Sequence, residues 1–318
     1  MDREDKDVML KVEHLGMEFI SGRRHQRNLV KAVDDISFEV RRSETFGLVG
    51  ESGCGKTTTG RCLIRLYNPT SGSIKLEGRE LTGRMDKEKR RYITDRVSMI
   101  FQDPIESLNP RMTILEIIGE GLRVRGIKDK DEIQKRVYDI LDKVGLTREH
   151  ASRYPHEFSG GQRQRIGIAR AIIINPSMVI ADEPVSALDV SVQAQVINLL
   201  NDLKEELGLT ILFIAHNLSV VKYFSDRVGV MYKGKLLEVA NASEIYSKPL
   251  HPYTKSLLSA IPEPNPITER YRERFSYDPS MHDYTNEKPS MTEVFPEHFV
   301  YASPSEIEAI RNAEAKSL

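Results

Sequence analysis

Thr45-Phe46-Gly47-Leu48-Val49-Gly50-Glu51-Ser52-Gly53-Cys54-Gly55-Lys56-Thr57-Thr58 is the stretch that decides how this sequence is read. Thr45 to Val49 has the composition of a buried strand and runs directly into glycines. After the glycines, Thr57 to Leu66 carries Leu63, Ile64 and Leu66 at helix-compatible spacing, with no Gly or Pro after Gly60. Between strand and helix, Gly50 to Thr57 fits G-x-x-x-x-G-K-[ST], the pattern of a phosphate-binding loop. Glycines let such a backbone curl until successive N–H groups point inward at phosphate oxygens, and the helix start adds partial positive charge. Lys56 is expected to reach the β and γ phosphates, Thr57 to offer its hydroxyl to Mg²⁺, and Thr58 to continue the site into the helix. Glu51, Ser52, Gly53 and Gly55 supply the cradle, and Cys54 contributes only backbone, so its thiol is assigned no redox or metal role. The competing reading is a chance glycine-rich turn, against which the flanking strand and helix count.

Further along, Met178-Val179-Ile180-Ala181-Asp182-Glu183-Pro184 is an apolar strand that ends in two acids. Ligands of open α/β sheets bind at the carboxyl ends of the strands. Asp182 is therefore the expected Mg²⁺ partner, acting through water, and Glu183 the residue that polarises an attacking water. Alone, two acids at a solvated strand end would mean little; together with the loop they form the second half of a nucleotide site.

The rest of the chain falls into textures. Short β-branched runs such as Val8 to Val12 and Ile36 to Val40 read as strands. Residues 103–158 are richer in helical periodicity, with Ile114, Leu115, Ile117 and Ile118, then Ile133, Val137, Ile140, Leu141 and Val144, and look like a helical insertion. From Ser159 helices and strands alternate, Gln162 to Ile174 and Val192 to Leu207 as helices, Thr210 to Ile214 as a buried strand, which argues for a largely parallel sheet. After Lys248, Pro249, Pro252, Pro262, Pro264, Pro266 and Pro279 forbid a long helix, so residues 249–318 read as an appended tail, with a weakly ordered appendage as the alternative. Ser305 to Lys316 reads as a final polar helix.

Composition removes several function classes. With 46 Lys and Arg against 47 Asp and Glu the net charge is -1, so no global positive field exists to hold nucleic acid. The 318 residues, 39% hydrophobic, can bury a core without disulfides, and the two cysteines, Cys54 and Cys62, form neither a disulfide framework nor a zinc pattern. The charged segment Met1 to Asp7 lacks the apolar run of a secretory signal, and no stretch is long and apolar enough to span a bilayer. If the protein works at a membrane, other chains supply the spanning helices.

A resemblance organises these pieces. Ser159-Gly160-Gly161-Gln162-Arg163-Gln164-Arg165 resembles the signature motif of the ABC ATPases. Gln102 after Met99-Ile100-Phe101 resembles their Q-loop, Ser186-Ala187-Leu188-Asp189 their D-loop, and His216 after Ile211 to Ala215 their switch histidine. The resemblance implies an α/β P-loop NTPase core with a mostly parallel sheet and antiparallel N-terminal strands, made of residues 1–102 and 159–248. It also implies an inserted helical subdomain, residues 103–158, and a short C-terminal extension, residues 249–318. Gln102 would sense Mg²⁺ and couple to membrane subunits, Ser159 to Gln162 would complete the ATP site of a second subunit, Asp189 would reach across that dimer, and His216 would contact the γ-phosphate. Phe19 is the candidate adenine platform, with an ordinary core position as the alternative.

Gln102-Asp103-Pro104, Ser107-Leu108-Asn109-Pro110-Arg111 and His251-Pro252-Tyr253-Thr254 further resemble the peptide and nickel importer ATPases, and Tyr277-Asp278-Pro279 to His298-Phe299-Val300 the F-type ATPases of Gram-positive oligopeptide permeases. That implies ATP and Mg²⁺ as ligands and no iron–sulfur cluster held by cysteine. It implies as partners a D-type ATPase in a heterodimer, two transmembrane permeases and an extracellular binding lipoprotein, at the cytoplasmic face of the membrane. A dipeptide or nickel importer ATPase, or a soluble ABC ATPase acting on nucleic acid or ribosomes, are the rival readings.

Overall fold

The computed structural model describes residues 7–21, 28–261 and 274–315. Its strands, in chain order, are β1 (Val8–Ser21), β2 (Asn28–Arg41), β3 (Thr45–Val49), β4 (Ser71–Leu76), β5 (Arg79–Glu80), β6 (Val97–Ile100), β7 (Met178–Asp182), β8 (Thr210–Ala215), β9 (Arg227–Tyr232), β10 (Lys235–Asn241), β11 (Ser290–Phe295) and β12 (His298–Ala302). The chain divides into two compact units, each discontinuous in sequence. The first takes the stretch ending at Met9, Val40–Glu44 and Gly83–Phe213; the second takes Leu10–Glu39, Thr45–Thr82 and the chain from Ile214 onward.

In the first unit β6 and β7 pair in parallel, with Val97 opposite Met178 and Ile100 opposite Ala181. β7 is buried along its whole length, as its unbroken apolar run requires of a parallel strand covered on both faces. The periodic segments are helices as expected. Ile114–Val124 opens on a capping box between Thr113 and Glu116 and buries Ile114, Ile117, Ile118 and Leu122. Lys130–Lys143 is capped by Asp129 and buries Ile133, Val137, Ile140 and Leu141. A further helix, Lys87–Arg96, has a polar sequence that gave no periodic signal and is started by Asp86 accepting the Lys89 N–H.

The second unit holds two sheets. One is antiparallel, in the order β2-β1-β4-β5, and supplies the expected antiparallel N-terminal strands. The other runs β11-β12-β10-β9-β3, with β3 and β9 parallel and the remaining pairs antiparallel. β3 is buried throughout, and Phe46 stacks on Phe38 at 5.3 Å.

Two expectations are corrected. The helix after the phosphate loop is Lys56–Leu63, not Thr57 to Leu66: Arg65 takes a positive φ of 59°, ending the helix and leaving Leu66 61% exposed. The later helices begin earlier than their apolar periodicity, at Gly160 and Val190, because Ser159 and Asp189 cap them. For the described part of the tail, the alternative of a weakly ordered appendage gives way to packing against the second unit's sheet. β12 pairs with β10 through Glu238 opposite Val300 and Val239 opposite Phe299, and β11 pairs with β12. Leu250, Val294, Val300, Ala302 and Ile307 close a small core beneath them. Each large side chain so buried contributes about 1.5–3 kcal/mol. Pro252 opens the Pro252–Ser259 helix rather than breaking one. The final helix spans Pro304–Ala315. Pro262, Pro264, Pro266, Lys316 and the N-terminal residues before Asp7 lie outside the described residues.

Candidate functional site

The phosphate-loop residues lie in the second unit, between β3 and the Lys56–Leu63 helix. Gly50 has φ +150°, and a Cβ there would stand 2.1 Å from the Met231 carbonyl oxygen. Gly55 has φ +109°, and a Cβ there would stand 2.2 Å from the carbonyl oxygen of Ala32. Both positions therefore require glycine on steric grounds as well as for the turn. Gly55 is the N-cap of the helix and no side chain caps it, so the loop runs straight into the partial positive charge of the helix start, which favours an anion. The loop is anchored from behind by the β9–β10 turn, where Gly234 N–H donates to the Cys54 carbonyl at 2.9 Å and Asp34 N–H to the Gly234 carbonyl at 2.9 Å.

Lys56 is 4% exposed and its ammonium donates to the carbonyls of Gly50 at 2.7 Å and Glu51 at 2.9 Å. Burial raises the Cys54 thiol pKa, with the Lys56 ammonium opposing the shift, which keeps the thiol protonated at neutral pH. Glu51 N–H donates to the Tyr253 phenol oxygen at 3.3 Å. His216, in the same unit, is exposed just past the end of β8. Phe19 is half-buried on β1, edge-on to Tyr67 at 5.4 Å. Tyr67, which also accepts from Arg61 at 3.1 Å, gave no signal in the sequence.

The acidic residues lie in the first unit. The β6–β7 register sets Ile100 opposite Ala181, so the two chains leave the sheet side by side and Gln102 follows Ile100 as Glu183 follows Ala181. The Gln102 amide accordingly donates to the Glu183 carboxylate at 3.1 Å. Glu183 takes a φ of +46°, and its carbonyl accepts from the N–H and hydroxyl of Ser186 at 3.2 and 3.0 Å, fixing the turn that follows the strand. Asp182 is 2% exposed.

Also in the first unit, Ser159 and Gln162 form a reciprocal capping box, Ser159 accepting from Gln162 N–H at 3.3 Å and donating its own N–H to Gln162 Oε1 at 3.0 Å. A Cβ at Gly161 would lie 2.5 Å from Val192 Cγ1, whereas one at Gly160 would meet only Leu188 at 3.5 Å. Gly161 thus allows close approach of the Gly160–Ile172 and Val190–Leu207 helices, a packing role the motif did not reveal. Asp189 caps the latter helix, accepting from Val192 N–H at 3.0 Å and Ser191 hydroxyl at 2.6 Å, and these bonds lower its pKa.

Residues 33–186 match the ABC transporter family, and residues 237–286 match the oligopeptide/dipeptide transporter C-terminal region. The oligopeptide transport ATP-binding protein OppF of Bacillus subtilis (strain 168) is 56% identical, over 95% of this chain and 99% of its own. The chain belongs to the ABC transporter ATP-binding proteins. The AmiF oligopeptide transport ATP-binding protein of Streptococcus pneumoniae serotype 4 is 54% identical over 87% of this chain and 90% of its own. Among solved structures, the ATP-binding cassette MJ0796, a dimer in a post-hydrolysis state bound to ADP and Pi, superposes with a TM-score of 0.67 at 28% identity, covering 74% of this chain and 99% of that one. The ABC ATPase fold implies nucleotide binding here. Among the described residues no cluster of three or more His, Cys, Asp or Glu side chains could hold a metal ion. Taken one by one, Thr57 offers a hydroxyl, Gln102 an amide oxygen and Asp182 a carboxylate, hard oxygen donors of the kind that suit Mg²⁺. No helix among the described residues is long and apolar enough to cross a membrane.

Proposed function

We propose that this chain is the ATP-hydrolysing subunit of an ABC importer for oligopeptides, and that the Gly50–Thr57 loop with Thr58 binds Mg-ATP. The observation that carries the reading is the loop itself, with two positions where only glycine fits, an uncapped helix start and a buried lysine held on its own carbonyls. Lys56 neutralises phosphate charge and the loop amides orient the phosphoryl group. Glu183, whose carboxylate is held by the Gln102 amide, orients and polarises the attacking water. Thr57, Gln102 and Asp182 are the residues that would hold Mg²⁺, which would supply charge neutralisation to phosphoryl transfer. His216 contacts the γ-phosphate, and Phe19 with Tyr67 offers an aromatic surface for the base.

The same reading places Ser159 to Gln162 against the nucleotide of a second, D-type ATPase subunit, with Asp189 at their interface and the pair seated on two permease subunits at the cytoplasmic face. An extracellular lipoprotein delivers the peptide. Residues 1–102 and 159–248 act as the nucleotide-binding core, 103–158 as the helical subdomain that meets the permeases, and 249–318 as the extension. The names of the relatives support oligopeptides as the solute, and the family match of the C-terminal region keeps dipeptides as the second reading. Glu183→Gln in the assembled transporter tests the chemistry: ATP binding is retained and turnover falls at least about a hundredfold. Near-normal turnover removes Glu183 from its role. Uptake of labelled di- and oligopeptides by cells with and without the gene separates the two solutes.

A further inference from the structure

Tyr253 belongs to the C-terminal region, some two hundred residues beyond the phosphate loop, yet it bonds to the loop directly. It is 1% exposed. Its ring is held by Tyr232 at 4.5 Å and by Tyr277, edge-on, at 5.4 Å. Tyr253 lies in the first turn of the Pro252–Ser259 helix, where its N–H donates to His251 Nδ1 at 3.0 Å. His251 N–H in turn donates to the fully buried carboxylate of Glu238 on β10 at 3.0 Å. The phenol is thus fixed by the sheet and cannot follow the loop if the loop moves.

The bond lands on one peptide unit. The Glu51 N–H that reaches Tyr253 and the Gly50 carbonyl that receives the Lys56 ammonium at 2.7 Å are the two polar ends of the single planar group joining Gly50 to Glu51. In a trans peptide these ends point in opposite directions, and among the described residues no peptide is cis. Rotating that plane to release Tyr253 swings the carbonyl away from Lys56. The phenol, the peptide and the ammonium therefore form one chain of hydrogen bonds, and the phenol sets the orientation on which the lysine rests. Glycine at position 50 leaves the plane free of side-chain restraint, so an external partner is what orients it.

We propose that Tyr253 is a positioning residue for ATP binding, fixing the Gly50–Glu51 peptide plane so that the C-terminal extension sets the affinity of the phosphate loop. The inference rests on the reading that this loop holds the nucleotide. A preset loop binds phosphate without first ordering its amides, and that saving appears in the affinity rather than in the chemical step.

Tyr253→Phe keeps the ring and removes the hydroxyl. In the full chain it is expected to raise the Kd for Mg-ATP about threefold to tenfold, the range one neutral hydrogen bond spans. Amide exchange in the 50–55 segment is expected to accelerate. In the assembled transporter KM for ATP rises by the same factor with kcat retained. A Kd equal to that of the parent chain overturns the proposal, whatever happens to the melting midpoint, because a purely structural tyrosine would shift only the latter. Lys56→Ala, measured alongside, separates the two levels of argument. If it abolishes binding while Tyr253→Phe leaves the Kd unchanged, only the positioning role falls; if Lys56→Ala binds like the parent, the loop is not the nucleotide site and both fall.

Discussion

In the phosphate loop the side chains of Lys56 and Thr59 hold backbone of near neighbours, Lys56 closing on Gly50 and Glu51 and Thr59 on Gly55, while Gly234 and Tyr253 brace the loop from afar. Where the C-terminal extension meets the sheet the arrangement is inverted, and one side chain of β10 holds groups from separate parts of the extension. Glu238, with no exposed surface, accepts the N–H groups of Leu250 at 2.8 Å and His251 at 3.0 Å, and His298 Nε2 at 2.7 Å. The loop is a local device that a short motif can encode. The extension is a long-range device whose parts have no meaning until folding brings them together.

The largest effect that would break this comparison comes from Glu238→Ala. It strands two buried backbone donors and a buried histidine, and is expected to cost about 3–5 kcal/mol of stability, read from urea unfolding of the full chain. A loss under about 1 kcal/mol would mean that the extension is held by its apolar core alone. Next is pH. Burial, against the pull of the Glu238 charge, holds the His251 pKa down to about 4, below the usual value of 6.5. The unfolded chain therefore binds a proton that the folded chain refuses across that interval. Stability contributed by neutral His251 is complete above pH 6.5 and is lost as pH falls towards about 4, a change of about 3 kcal/mol. His251→Asn, which keeps a cap for the Tyr253 N–H, should flatten the stability profile in that window; an unchanged profile assigns the slope to other groups. The smallest effect carries the local side of the comparison to the second glycine motif, at the start of the Gly160–Ile172 helix. Gly161→Ala presses a methyl onto Val192 and should cost about 1–3 kcal/mol in thermal unfolding even without nucleotide, whereas Gly160→Ala, which meets only ordinary contact at Leu188, should not.

Legibility followed the same division. β3 and β7 were readable because an apolar run buried on both faces leaves an unmistakable stretch, and the loop because phosphate chemistry demands glycines and lysine at fixed intervals. The adjacency of Gln102 and Glu183 was not readable, since it depends on the β6–β7 register, yet both residues had been singled out from their motifs. β11 and β12 escaped notice because Ser290-Met291-Thr292-Glu293 is a half-exposed strand of mixed character, set in Pro-punctuated sequence. The His251-Pro252-Tyr253 segment was legible as a marker of relationship but not as a contact of the loop. A hydrogen bond across two hundred residues has no periodicity to betray it.

The hairpin of β11 and β12 has one more consequence, for solubility. By pairing with β10 it occupies hydrogen-bonding positions at Glu238 and Val239 that would otherwise face water as an open strand edge beside the apolar Leu236 and Leu237. The outermost strand becomes β11, short, half-exposed and carrying Ser290, Thr292 and Glu293, a poor template for a neighbouring molecule. A chain shortened before Ser290 would thus present a sticky apolar border, and the extension guards against self-association as well as completing the fold.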